Sequence, residues 1–228
     1  MISARAFGTG LLGLVLAAHA AQGQDAARYR DFQLGGDIAS VSAVTASQAS
    51  EAKTVHQRPA LLQDLEWRRP YSTPGATVAP DPVQQITFSF YNNQLSRLVI
   101  DYDRDRTEGL TDADLIDAVS AQYGPVAKAA PKAGVSAGND DASGKLLARW
   151  SGADFAVVLY RMSYASAVRM IVTSVRLDAL ARTAATQADR LDEREAPQRE
   201  VARQKKEAGD AKAASERARV ANKAAFRP

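Results

Sequence analysis

The sequence predicts an α+β fold: two tandem helix-plus-three-strand units forming an antiparallel sheet, followed by a helical or disordered C-terminal tail. Three observations carry this. Apolar residues alternate with period two on both sides of the polar turn Asn92-Asn93, which marks a β-hairpin. Helix start signals stand ahead of strand-rich stretches in both halves of 29–177. After Leu177 the chain turns to Ala, Arg, Glu and Lys, with almost no large apolar residues.

In chain order, 1–23 reads as a secretory signal peptide. Arg5 supplies the n-region charge, Leu11 to Ala18 the short apolar core, and small residues follow at Ala18-His19-Ala20 and Ala21-Gln22-Gly23, two sites where a signal peptidase would cut. The run is about half the roughly 18 apolar residues a membrane span needs, and no later stretch is long enough either. The mature chain is thus expected in the periplasm or outside the cell, with no transmembrane segment. It has no cysteine, so no disulfide, lipid-modified cysteine, thiol nucleophile or thiolate metal site is available to it.

The first unit, about 29–105, opens with a helix from Asp37 to Thr45, after the turn Leu34-Gly35-Gly36. Ile38, Val41 and Val44 recur every third residue and predict one buried stripe. A strand follows at Leu61 to Trp67, and then a loop with Pro70, Pro74, Pro80 and Pro82. In the hairpin, Ile86, Phe88 and Phe90 alternate with Gln85, Thr87 and Ser89, and Leu98, Ile100 and Tyr102 with Val99 and Asp101. A three-residue loop, Asn92 to Gln94, sets Phe88 opposite Leu98 and Ile86 opposite Ile100. A two-residue loop would set Phe88 opposite Arg97 and mix core with solvent along the whole pair.

The second unit, about 106–177, starts at Thr111-Asp-Ala-Asp114, a capping box in form. Its helix carries Leu115, Ile116 and Val119 and stops at Tyr123-Gly124-Pro125. An Ala/Gly/Pro/Ser-rich loop spans 126–144. Strands are expected at Leu146–Trp150, Phe155–Tyr160 and Val168–Val175. Two strings echo across the halves: Leu61-Leu62 before Trp67 with Leu146-Leu147 before Trp150, and Leu95-Ser-Arg97-Leu-Val-Ile100 with Ala167-Val-Arg169-Met-Ile-Val172. The echo reads as an internal repeat whose sheets join edge to edge or face each other. In the tail, Pro197 is expected to separate a helix over 178–195 from a second one over 201–226.

In outline, residues 32–177 resemble the small α+β domain of BamE/OmlA-type envelope lipoproteins. The likeness rests on Phe32-x-Leu34-Gly35 before the first helix and on the second helix ending at Gly124-Pro125. The duplication is similar to the β-lactamase-inhibitor protein fold. The resemblance implies non-catalytic binding to another cell-envelope protein. The chain departs from that pattern in having no lipid-anchoring cysteine and no Gly-x-Pro exit from its first helix.

Charge is uneven. From Asp178 onward there are 12 Lys/Arg and 9 Asp/Glu, whereas 24–177 holds 16 and 17. The folded part is close to neutral, a distribution that gives no support for the basic face nucleic acid requires. Asp101-x-Asp103-x-Asp105, with Asp112 at the twelfth position, has the carboxylate spacing of an EF-hand calcium loop. Arg106 replaces the turn glycine, however, and the loop arginines repel a cation, so the segment reads better as a strand end entering a helix cap. Signal cleavage removes His19 and leaves His56 as the only imidazole, which rules out multi-histidine metal sites; nor is there a Gly-x-Ser-x-Gly elbow. No cofactor is indicated. Trp67, Arg68, Arg69 and Tyr71, beside the proline-rich loop, are the candidate binding anchors, because aromatic and Arg residues on loops are the commonest hot-spot chemistry. The functional expectation is a non-catalytic exported protein that binds an envelope protein; the alternative is an Asp/Glu-dependent hydrolase acting on an envelope substrate.

Overall fold

Thr111 shows how local sequence sets this fold. Its hydroxyl accepts from the Asp114 amide at 3.2 Å, and the Asp114 carboxylate accepts from the Thr111 amide at 2.8 Å. The reciprocal pair starts a twelve-residue helix, Asp112–Tyr123. Thr111→Ala is expected to lower stability by about 1 kcal/mol, seen as a lower urea midpoint at unchanged m-value. The computed structural model describes residues 27–70, 81–127, 144–163, 168–225 and 227. Residues 1–23, read above as a signal peptide, most of the proline-rich segment with Tyr71, most of 126–144 and residues 164–167 lie outside them.

The described elements in order are β1 (Arg28–Tyr29), β2 (Phe32–Gln33), α1 (Ile38–Thr45), a single 3₁₀ turn (Ala49–Glu51), β3 (Lys53–His56), β4 (Leu62–Arg68), β5 (Val83–Tyr91) and β6 (Gln94–Tyr102). They continue with α2 (Arg104–Thr107), α3 (Asp112–Tyr123), β7 (Gly144–Ser151), β8 (Phe155–Met162), β9 (Val168–Ser174) and α4 (Val175–Ala225). The fold is α+β. β3 to β9 form one seven-stranded sheet in the order β3-β4-β5-β6-β9-β8-β7, and every pairing in it is antiparallel. The last strands of the two halves, β6 and β9, meet at the centre, so the halves share one sheet edge to edge. β1 and β2 make a separate two-stranded hairpin. The chain divides into two compact units, one ending at Arg182 and the other covering 183–228.

One face of the sheet carries the main core. Leu65, Ile86, Phe88, Leu98, Ile100 and Val172 point to this side, where they join Tyr29, Phe32, Ile38, Val41, Leu115 and Tyr123 from the hairpin and from α1 and α3. Each fully buried side chain of this size contributes about 1.5–3 kcal/mol through removal from water. Val44 does not follow the expected stripe and is 50% exposed. With α1 only eight residues long and ended by Ala46 at φ 54°, the stripe turns away from the sheet before its third member.

The β5–β6 register is as expected: Ile86 pairs with Ile100 and Phe88 with Leu98. The loop differs. Tyr91 pairs with Gln94, leaving a two-residue turn, Asn92-Asn93, with φ of 46° and 62°. These positive values are those of a type I′ turn, for which asparagine is well suited. The extra residue sits instead in a bulge at Ser96, whose buried hydroxyl donates to the Ser89 carbonyl at 2.8 Å. The bulge restores the apolar register that a two-residue turn alone would have destroyed. Beyond the end of β9, the free edge of β6 binds the Gly35-Gly36 turn: the Gly35 amide donates to the Leu95 carbonyl at 2.8 Å, and the Leu95 amide to the Gly36 carbonyl at 2.7 Å. Gly35 has φ of 87°, open to glycine at little cost.

Both outer strands are poor templates for a further strand. β3 is four residues long, carries Lys53 and is bulged at Val55; β7 carries Lys145 and is bulged at Leu147. Charge and irregularity at an edge are the usual means of blocking strand addition.

Pro197 lies inside α4 and does not end it: the helix is continuous from Val175 to Ala225. Proline removes one helical hydrogen bond and crowds the preceding turn. In the same turns the Arg199 guanidinium reaches the Asp192 carboxylate at 2.6 Å, the Asp192 carbonyl at 3.3 Å and Glu195 at 3.8 Å.

Candidate functional site

The Asp101–Asp112 segment is built by local capping and by distant cations. The Asp103 carboxylate accepts from the Asp105 amide at 2.9 Å and opens the single-turn helix α2. Its other oxygen is bound by Arg69, whose guanidinium also donates to the Asp81 carbonyl at 2.7 Å. Burial alone would raise the Asp103 carboxyl, but Arg69 and the Asp105 amide together hold it below the usual carboxylate range. Asp81 is held low mainly by its bidentate contact with Arg30, at 2.8 Å on both oxygens. Asp112 is held low by Lys145 at 2.9 Å and then Arg161 at 2.7 Å. Asp101, on the opposite sheet face, receives two bonds from Arg169, at 2.7 and 3.0 Å.

Asp101, Asp103, Asp105 and Asp112 therefore do not converge. Three of them are bound to cations, from β7, β8 and β9 and from Arg69 just after β4, and Asp105 lies in the first turn of α2. Among the described residues no group of three or more His, Asp or Glu is placed to hold a metal ion.

The four candidate anchors do not form one cluster either. Trp67 is half-buried against the main core. Arg68, the next residue of β4, points to the other face, where it holds Glu66 at 2.6 Å. Arg69 is engaged by Asp103 and the Asp81 carbonyl. Tyr71 lies outside the described residues. On the Arg68 side, Glu51, Lys53, Asp64, Glu66, Arg68 and Thr87 line a shallow, polar concavity of about 500 Å³. His56 lies in the edge strand β3.

The more enclosed feature is an apolar groove of about 430 Å³ on the core side. Its floor is Tyr102, Val168 and Leu159 from three adjacent strands; α3 supplies Leu115, Ala118 and Val119 as one wall, and Pro82, Thr107 and Leu110 close the other. Val168 and Tyr102 are register partners, so the floor is set by the ladder itself. The Leu110 wall is pinned to β8, because Arg161 donates to the Leu110 carbonyl at 3.0 Å while binding Asp112 at the start of α3. The Tyr102 hydroxyl lies 3.3 Å from that of Tyr29, and burial raises the pKa of both phenols. Tyr123 donates to the Arg28 carbonyl at 3.0 Å, and burial raises its pKa too. The Thr107 hydroxyl bonds to the Asp103 and Arg104 carbonyls.

Among the described residues that line the groove Arg106 is the one that is charged, and it makes no ion pair with another described residue. Leu110 is 42% exposed at the rim. The groove can accept an apolar side chain and place an anion beside it. Residue-by-residue reading missed it because its walls come from segments far apart in the chain; the only local signal is an apolar Leu110 standing between Gly109 and a helix cap.

No helix among the described residues is long and apolar enough to cross a membrane. Comparison with protein-family models, with curated proteins and with solved structures finds no match.

Proposed function

We propose that this is a non-catalytic exported protein that binds another protein of the cell envelope through the groove between α3 and the sheet. One observation carries the reading: an apolar groove of about 430 Å³ with a cation, Arg106, at its lining. Such a site suits a partner segment that presents an aliphatic or aromatic side chain next to a carboxylate. The groove backbone is fixed by the Thr111 cap and the Arg161–Leu110 bond, so docking costs little ordering of the receptor. Among the described residues Asp37, Asp81, Asp103, Asp112 and Asp114 are held low by amides, hydroxyls or cations, whereas glycoside hydrolysis needs a general acid raised by its surroundings. Export rests on the signal-like residues 1–23.

A photo-crosslinker in place of Leu110 is expected to trap one envelope protein. Ala118→Arg, at an exposed position of α3, fills the groove without disturbing the core. It should cut that yield about tenfold, the equivalent of roughly 1.4 kcal/mol, with thermal unfolding unchanged. Equal yields with and without Ala118→Arg would reject the groove as the docking site.

A further inference from the structure

Nearly every polar group among the described residues that line the groove is already engaged. Pro82 has no amide, and its carbonyl accepts from the Asp103 amide at 2.8 Å. The Thr107 amide donates to the Asp103 carbonyl at 3.1 Å and the Leu110 amide to the Thr107 carbonyl at 3.3 Å, while Arg161 holds the Leu110 carbonyl at 3.0 Å. The Thr107 hydroxyl is used within α2, and that of Tyr102 meets Tyr29. On the floor, Tyr102, Leu159 and Val168 each have a register partner on both sides. Leu115, Ala118 and Val119 are interior to α3, whose own ladder takes up their amides and carbonyls. The Arg106 guanidinium is the exception: it is exposed and makes no ion pair with another described residue.

This lining selects the backbone state of whatever enters. An extended segment carries amides and carbonyls into the groove, where nothing is left to receive them. An unpaired polar group taken out of water costs more than a made hydrogen bond returns. Strand addition is closed too, because it needs a sheet edge and this floor is a sheet face. A helix satisfies its own backbone and presents side chains alone. The wall also suits one. Leu115, Ala118 and Val119 stand at i, i+3 and i+4 on α3, and exposed Ala118 leaves a notch in which a ridge of a second helix can seat. Arg106 then sets the charge of the incoming helix, since a guanidinium pairs best with a carboxylate.

We propose that the occupant of the groove is an acidic amphipathic helix of the partner protein, with its apolar stripe on the floor and an Asp or Glu about one turn away on Arg106. The proposal rests on the groove reading above and adds the partner's chemistry to it.

The test pans a phage-displayed library of random peptides of about 16 residues, roughly four helical turns, on the full chain, on Ala118→Arg and on Arg106→Gln. Clones that lose about tenfold or more in affinity on Ala118→Arg are groove-dependent. They are expected to carry apolar residues at i, i+3 or i+4, and i+7, with no proline between them. Asp and Glu should be enriched about threefold one turn from that stripe, and on Arg106→Gln the apolar spacing should persist while this enrichment falls to the library level. Groove-dependent clones with apolar residues at every second position, or with proline inside the stripe, would overturn the helix and leave the groove standing. An acidic enrichment unchanged on Arg106→Gln would overturn the pairing with Arg106. Absence of any groove-dependent clone would overturn both the proposal and the docking site beneath it.

Discussion

Phe88→Ala is expected to lower the stability of the sheet unit by about 4 kcal/mol, the largest single effect among core truncations here. Phe88 is fully buried in β5, next to Leu65 on one side and Leu98 on the other. Its ring meets Phe32 edge-on, with centroids 4.7 Å apart and planes at 64°, an arrangement worth something beyond area alone. Truncation therefore opens a cavity between the sheet and the β1–β2 hairpin and removes the hairpin's main aromatic contact. Domains of this size hold together by about 5–15 kcal/mol, so the loss is a large share of the total. Urea unfolding monitored by near-ultraviolet circular dichroism checks it; a loss below about 2 kcal/mol would mean that the hairpin does not pack as described.

Asp101→Ala is expected to cost about 3 kcal/mol, even though it deletes few atoms. Asp101 and Arg169 face each other across β6 and β9 with side chains only 14% and 19% exposed. Removing the carboxylate leaves a guanidinium in a poorly hydrated place at the centre of the sheet, and that desolvation is what destabilises. The double replacement Asp101→Leu/Arg169→Met removes both charges and is expected to stay within about 1 kcal/mol of the parent. A double-mutant cycle by thermal unfolding separates the two effects. Additive losses would show that the residues are not coupled.

The antiparallel hairpin was legible because Ile86, Phe88, Leu98 and Ile100 alternate with polar residues on one face, and only one register keeps that face dry. The loop was not, because a two-residue turn plus a bulge at Ser96 yields the same pairing as a three-residue loop. The Thr111 cap was legible, as both its partners lie within four residues. β3 was not: Lys53, Thr54 and Val55 are exposed, and an edge strand bare on both faces leaves no apolar period to read. Pro197 shows the reverse, a strong local signal that does not end the helix running through it. The acidic segment could be seen but not interpreted, since the partners of Asp101 and Asp112 lie 68 and 49 residues away. Alternation along β4 does separate Trp67 from Arg68, a consequence already contained in the strand assignment. The groove has no comparable local signature, because its floor exists only once β6, β8 and β9 are assembled.

The Gly35–Leu95 contact has a kinetic consequence. It joins residues 60 positions apart and binds a part of β6 that acquires its shape only when the type I′ turn and the Ser96 bulge are in place. Closing a loop of that length is entropically costly, and nothing rewards it until the hairpin presents an edge. The start of α1 therefore settles onto a β5–β6 hairpin that has already formed. In hydrogen-exchange order, the Leu95 and Gly35 amides become protected together and after those of Phe88 and Leu98, making the N-terminal segment a late addition to a sheet begun from its middle.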